Sequence, residues 1–195
     1  WNRVVLLDNQ IAPELACLDF VTIGQRLGLA PVDAALSLLC QSAEATVPLM
    51  IVRPVYDTND QTLAFGHPLC VPGSDATALC PDGPLSGSAF HGAYSWAAWF
   101  YRFSVREAGF LTPQAAIHKL TGQPAEILKL GNRGRLQPGM RADIAIFDPT
   151  IFGERATQWE PNQTAVGMRH VFVNGDLAFT EDAPTETRSG QVLRA

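Results

Sequence analysis

The sequence predicts an α/β fold, with short β/α units over residues 1–130 and a small β region over residues 131–195. Three observations predict it. Apolar runs of strand length recur at Arg3 to Leu7, Leu49 to Val52 and Leu69 to Val71. Helix-length segments with start and stop signals separate them. After Gly131 the helical pattern gives way to two-residue alternation. Strands that read as continuous apolar runs between helices imply parallel units covered on both faces. About three such units make either a small open sheet or the end of an eight-stranded barrel whose earlier strands lie outside this chain.

Taken in order, Arg3 to Leu7 is a strand ended by the turn pair Asp8-Asn9. Leu18, Val21, Ile23 and Leu27 form an imperfect helical stripe that Gly28 should stop. Pro31 opens a clearer helix through Ala34, Leu36, Leu38 and Leu39, ending near Glu44. After the strand at Leu49 to Val52, Asp57-Thr58 caps a short helix through Leu63 and Phe65. The strand at Leu69 to Val71 runs out into Pro72-Gly73-Ser74-Asp75 and a Gly, Ser and Pro rich loop reaching Phe90. Tyr94 to Glu107 holds six of the seventeen aromatic residues, and with only Arg102 and Arg106 beside them it reads as a helix buried nearly all round. Thr112-Pro113 starts a helix to Gly122, and a second runs from Pro124 to about Leu130. Ala142 to Asp148 alternates as a strand, and Arg169 to Val173 pairs back on Leu177 to Thr180 through Asn174-Gly175.

Composition excludes several classes. The 195 residues carry 14 Lys+Arg against 19 Asp+Glu, a net charge of −5, with no basic block. That argues against nucleic acid as a partner, because phosphate binding needs a basic face. The longest apolar stretches, such as Val47 to Val52, are far shorter than the ~20 residues of a membrane span. The chain opens at Trp1 without Met, which is not read as a translational start. Cys17, Cys40, Cys70 and Cys80 lack Cys-x-x-Cys spacing and read as buried reduced thiols, hence a cytoplasmic protein.

Asp75 is the leading catalytic candidate, because it follows a strand end and opens a long loop, where parallel α/β folds place their sites. An Asx-type turn at a loop start is the competing reading. His91 closes the same loop and is a candidate to line a site. His67, His118 and His170 read as structural, and no His-x-His or His-Glu-x-x-His spacing is present. No Gly-x-Ser-x-Gly elbow, P-loop or dinucleotide glycine pattern occurs, so those reactions have no support.

Leu111 to Asp148 resembles a stretch of the metal-dependent amidohydrolase superfamily, above all in the turn Gly134-Arg135-Leu136-Gln137-Pro138-Gly139-Met140-Arg141-Ala142-Asp143. Val171 to Gly175, Gly190 to Arg194, His67-Pro68, Gly73-Ser74-Asp75, His91 and Val105-Arg106-Glu107 resemble the branch of the D-aminoacylases. The resemblance implies the carboxyl-terminal portion of a TIM-type (β/α)8 barrel plus strands of a small composite β-sandwich. It implies a divalent metal, zinc being the expected ion, with most ligands supplied by an amino-terminal segment or companion chain. It makes Asp75 the acid/base at the end of the eighth strand and a metal contact, with Ser74 and His91 binding a small-molecule substrate. The implied reaction is metal-dependent hydrolysis of an amide, the deacylation of an N-acyl amino acid or a related compound. Cyclic-amide hydrolysis and a non-catalytic scaffold subunit are the alternatives. The sequence departs from the branch at two points. Nothing here supplies the metal-binding histidines or the bridging residue, and His91-Gly92-Ala93 stands where the branch has His-Pro-Arg, whose guanidinium binds the substrate carboxylate.

Overall fold

The computed structural model describes residues 1–7, 9–45, 49–76, 79, 82, 85–86, 88–157, 159–180 and 183–193. They form two compact units. One comprises Trp1–Asp57, Asp75–Tyr94 and Ala156–Gln163, the other Thr58–Ser74, Ser95–Arg155 and Thr164–Ala195.

In the first unit, strand β1 (Val5–Leu6) pairs with β2 (Ile51–Val52), with Val5 opposite Val52. The pairing is antiparallel, which corrects the expected parallel β/α arrangement. These strands are only two residues long and half-covered, and Ile51 is exposed. Antiparallel pairs tolerate a solvated face where parallel ones do not. The other edge of β1 is taken by the chain turning straight back: Leu6 N–H donates to Leu18 O at 3.0 Å, and Cys17 N–H donates to Leu6 O at 2.8 Å.

Helix α1 (Phe20–Leu27) begins at Asp19, whose Oδ1 accepts from the N–H groups of Val21 and Thr22 at 2.9 and 3.1 Å. These bonds and the Thr22 hydroxyl hold the Asp19 carboxyl below the ordinary carboxylate range. Gly28, at φ 68°, ends the helix in the left-handed conformation. Helix α2 (Pro31–Gln41) follows, with Pro31 in its first turn. Its buried stripe is only Ala34 and Leu38, while Leu36 and Leu39 stay exposed. The core of this unit is Leu6, Ala12, Leu15, Phe20, Ile23, Ala34 and Leu38. The cysteine expectation fails at two positions. Cys17 and Cys40 are exposed and Cys70 is half-buried, all three as free thiols, because Cys17 sits on the turn into α1 and Cys40 on the outer face of α2. Cys80 lies outside the described residues.

In the second unit, α3 (Thr58–Gly66) buries no residue fully but lays Phe65 edge-on against Phe100, with ring centroids 5.4 Å apart. The aromatic segment is helical, as α4 (Trp96–Tyr101) running on into a π-helical stretch, Arg102–Glu107. Within that stretch the Ser104 hydroxyl, fully buried, donates to Phe100 O at 2.6 Å, and Ala108 N–H reaches back five residues to Phe103 O at 2.8 Å. Arg102 ties the stretch to Glu107 and Glu154, and the Glu154 hydrogen bond raises the guanidinium's proton affinity further.

Helix α5 (Pro113–Leu120) starts as read, with Thr112 Oγ1 accepting from Ala115 N–H at 3.2 Å. Helix α6 (Gly122–Ile127) starts two residues before the expected Pro124, so Gly122 opens a helix rather than closing one. The remaining strands, β3 (Ile144–Phe147), β4 (Met168–Val173), β5 (Asp176–Thr180) and β6 (Ala183–Pro184), form one antiparallel sheet in chain order. Val173 faces Asp176 across Asn174-Gly175, both at positive φ, which is the two-residue hairpin the sequence promised. The core gathers Ala98, Phe100, Tyr101, Ala116 and Phe152, with Phe147 and Met168 of the sheet packed on it. The aromatic helix therefore covers the apolar face of this sheet.

Candidate functional site

The segment that leads to the leading candidate is not a strand. The expectation of one at Leu69 to Val71 is corrected: residues 69–76 contain no strand, and Leu69 is 82% exposed. Side chains take the carbonyls a ladder would use. Lys119 Nζ donates to His67 O at 2.7 Å and to Cys70 O at 2.9 Å, and Gln123 Nε2 donates to Pro68 O at 2.7 Å. His67 N–H and Cys70 N–H close local turns onto Ala64 O and His67 O, at 3.2 and 3.0 Å. The result is a turn, His67 to Cys70, held by α5 and α6.

Five residues later the chain reaches Asp75, at φ 52°. Aspartate and asparagine are the non-glycine residues that best tolerate this left-handed conformation. The residue is exposed, and no hydrogen bond or ion pair joins its carboxylate to another described residue. Ser74, its chain neighbour, is half-buried. A carboxylate so presented can accept or give a proton at a bound molecule, provided that molecule comes within hydrogen-bond reach.

His91 is exposed in a turn in which Ala93 N–H donates to Phe90 O at 3.1 Å and Gly92 has φ 94°. Asn162 brackets the residues before it, its Nδ2 donating to Ser88 O at 2.7 Å and its Oδ1 accepting from Phe90 N–H at 3.4 Å. No hydrogen bond joins His91 to Asp75. Of the three residues singled out from sequence, Ser74 and Asp75 are together by chain continuity alone. Much of the loop between Asp75 and His91 lies outside the described residues.

The other histidines lie on α5, on β4 and in the turn after α3. His67 Nδ1 accepts from Leu69 N–H at 3.2 Å, His170 Nδ1 meets Thr180 Oγ1 at 3.0 Å across β4 and β5, and His118 is exposed on α5. Lys119, Gln123 and Asn162 escaped the sequence reading. For Lys119 a signal exists, since it lies three residues from the buried Ala116 on the apolar stripe of a helix. Asn162 acts over more than seventy residues of chain and leaves none.

Among the described residues no three His, Cys, Asp or Glu side chains converge, so the described donors do not make a complete zinc site. Two cavities of about 340 and 440 Å³ lie at Trp1 to Val4 with Arg53, and at Ile151, Arg155 and Val166 to His170. Neither is lined by Ser74, Asp75 or His91. No helix among the described residues is long and apolar enough to cross a membrane.

Against this geometry the comparisons with known proteins are informative. The model of the amidohydrolase family matches residues 77–179, more than half of the chain and beginning two residues after Asp75. The chain is 34% identical over 158 residues to the N-acyl-D-glutamate deacylase of Alcaligenes xylosoxydans xylosoxydans, covering 80% of this chain and 31% of that protein. It is 32% identical over 193 residues to the N-acyl-D-aspartate deacylase of the same organism, covering 98% of this chain and 36% of that one. All of it superposes, with a TM-score of 0.81 and 30% identity, on 38% of the N-acyl-D-glutamate deacylase of Bordetella bronchiseptica, a crystal structure holding zinc and a phosphonate that mimics the tetrahedral intermediate. The chain thus spans about a third of the length of the relatives it matches. A family match over most of the carboxyl-terminal half, with a fold shared end to end, means that the chain belongs to the amidohydrolase family, in the branch of the N-acyl-D-amino-acid deacylases.

Proposed function

We propose that this chain is the carboxyl-terminal part of a zinc-dependent amide hydrolase that deacylates an N-acyl amino acid, with Asp75 as its proton carrier. One observation carries the reading: an exposed carboxylate with no described partner, held at a left-handed corner, in a chain whose whole length superposes on a zinc-bound deacylase. On this reading residues 1–130 supply the last β/α units of a barrel and the helices after it, and residues 131–195 supply strands of a composite β-sandwich. Zinc is held by side chains from outside these 195 residues, supplied by an amino-terminal segment or a companion chain, with Asp75 adding one oxygen.

The chemistry asked of this chain is a proton relay. As base, Asp75 takes a proton from water while the water oxygen bonds to the amide carbonyl carbon. As acid, it returns that proton to nitrogen as the carbon–nitrogen bond breaks, leaving a carboxylic acid and an amine. Ser74 and His91 contact the substrate on either side of the loop. The relatives named for N-acylated D-glutamate and D-aspartate make an acidic D-amino acid the first compound to try.

The test uses the intact protein that carries this chain, loaded with zinc. A denaturing mass spectrum of native material identifies any companion chain, and hydrolysis is then followed on N-acyl-D-amino acids and on cyclic amides. The expected result is turnover of the open-chain compounds and a loss of about 100-fold or more in kcat for Asp75→Asn. Turnover of ring substrates alone would assign the cyclic-amide reaction instead. A protein with no turnover, or one indifferent to Asp75→Asn, would be a scaffold subunit.

A further inference from the structure

We propose that Asn174 is a site of spontaneous modification, kept closed by the segment after β6: the Asn174-Gly175 linkage deamidates when Ser189 lets go of it. The proposal is independent of the role given to Asp75. An asparagine followed by glycine is the pair most open to this reaction, because glycine puts no side chain beside the attacking nitrogen. The Gly175 nitrogen loses its proton and bonds to Asn174 Cγ, the bond from Cγ to Nδ2 breaks, and ammonia leaves. Water then opens the resulting cyclic imide at either carbonyl. The product is aspartate, or its isomer in which the backbone runs through the β-carbon.

The side-chain amide and the attacking nitrogen all have partners. Asn174 Nδ2, the leaving nitrogen, donates to Ser189 O at 2.5 Å. Gly175 N–H donates to Ala142 O at 3.0 Å, which keeps on the nitrogen the proton that attack must remove. Asn174 Oδ1 accepts from Arg133 at 2.7 Å. This third bond fixes the amide plane, but it also suits the negative charge that Oδ1 gains during attack, so the restraint rests on the first two. Of these, Ser189 is the one that opens. It is half-buried, with exposed residues 186–188 before it and 190–193 after it, and its hydroxyl donates to the exposed Asp176. A segment held at one such point opens locally at far less cost than a paired sheet. The product does not fit the corner that made it. A carboxylate at position 174 faces that of Asp143 with the Arg133 guanidinium shared between them, and the isomer lengthens the backbone of a two-residue turn whose strands are already in register.

The experiment ages the intact protein in mildly alkaline buffer, both native and unfolded in urea. Mass spectrometry of the peptides that contain Asn174 then reads the conversion of amide to acid and the share of isoaspartate. The native protein is expected to react about 30-fold more slowly than the unfolded chain, or slower still. Equal rates overturn the proposal. A form ending at Thr187 is expected to raise the native rate about 10-fold, and Ser189→Ala, which loses only the bond to Asp176, about threefold. Hydrogen exchange across β3 and β4 is expected to stay unchanged in both, so that the gain reports release of Ser189 and not opening of the sheet. An unchanged deamidation rate in the shortened form, with the sheet intact, overturns the gating role of Ser189. If the shortened form does not fold, or its sheet exchanges faster, Ser189→Ala decides, and an unchanged rate in that variant overturns the proposal in the same way.

Discussion

The carboxylate of Asp143 accepts the backbone N–H of Asn174 at 2.8 Å, across 31 residues of chain. Asn174 is the first residue of the hairpin turn between β4 and β5, and Asp143 closes the turn that leads into β3. Arg133 completes the arrangement, pairing with Asp143 and donating from its second terminal nitrogen to Asn174 Oδ1 at 2.7 Å. Three strands of the sheet thus meet at one ion-paired corner. The Ala-Asp that ends the motif at Ala142-Asp143 serves here as a structural fastener, and Gly175 N–H bonds to Ala142 O at 3.0 Å beside it.

A pH dependence follows from that corner. Partial burial works to raise the Asp143 carboxyl, but the Asn174 N–H and the Arg133 guanidinium outweigh it and hold the group below its ordinary value. Because the folded value lies below the unfolded one of about 3.9, the contribution to stability is complete above pH ~4 and is lost as the pH falls through the folded value. Asp143→Asn is therefore expected to destabilise the intact protein at pH 7 by roughly 1 kcal/mol, a figure already reduced for the solvent that reaches this carboxylate. Urea unfolding at pH 7 and at pH 3 checks it: the gap between the two proteins should shrink at the lower pH, and a constant gap would remove the electrostatic account.

Gly134, the first residue of the motif, has a reason for being glycine. Its φ is 81°, and a β-carbon there would stand 2.5 Å from Ala125 Cβ and 2.9 Å from Thr121 O. Both contacts are with the body of the α6 region, not with the end of a flexible side chain. Gly134→Ala is expected to destabilise by about 2–4 kcal/mol, combining left-handed strain with overpacking. Thermal unfolding of the variant checks this, and a midpoint within a degree of the unaltered protein would show that α6 can move aside.

The parts of the fold that were legible in the sequence are those that local chemistry decides. Thr112-Pro113, Gly28 and Asn174-Gly175 each act within a few residues, and each ends or starts an element where expected. The strand at Leu69 to Val71 was misread because an apolar tripeptide says nothing of what will take its carbonyls, and here a lysine nearly fifty residues away does. Strand direction failed for a related reason. The apolar character of Val5, Leu6, Ile51 and Val52 does not reveal that one edge of β1 is already filled by residues 17–20. Near the candidate site, the donors Lys119 and Gln123 that hold the His67 to Cys70 turn, and the bracket at Asn162, depend on tertiary contacts that the sequence does not display.

Asp75 combines the proposed reaction with an unfavourable backbone conformation, so stability and activity should part there. Asp75→Gly is expected to stabilise the intact protein by about 0.5–1 kcal/mol if the φ of 52° is kept, because glycine adopts it freely and the unfolded chain's extra freedom only partly offsets the relief. The same variant loses the proton carrier and with it about 100-fold or more in kcat. Asp75→Asn should lose the activity without the gain in stability. Paired unfolding and rate measurements on the two variants check the assignment, and a Gly variant that is both active and more stable would mean that the residue only makes a turn.

The last prediction concerns the substrate contact proposed for His91. Gly92 has φ 94°, a conformation closed to proline, whose ring holds φ near −65°. The His-Gly-Ala loop therefore differs from a His-Pro-Arg loop in backbone shape as well as in lacking a guanidinium. Recognition of a substrate carboxylate by a bidentate arginine at position 93 would need that side chain restored, and the half-buried Ala93 is where it would start. Ala93→Arg alone keeps the backbone that Gly92 sets. It is expected to raise kcat/KM for N-acyl amino acids about 5- to 10-fold over N-acyl amines without a carboxylate, less than a preorganised bidentate pair would give. Ala93→Arg with Gly92→Pro should instead lose folded protein or rate, because the proline forces the turn at Phe90 to Ala93 to open. Measuring both substrates on both variants separates the two effects, and a double variant that outperforms the single one would show that this loop can adopt the other backbone after all.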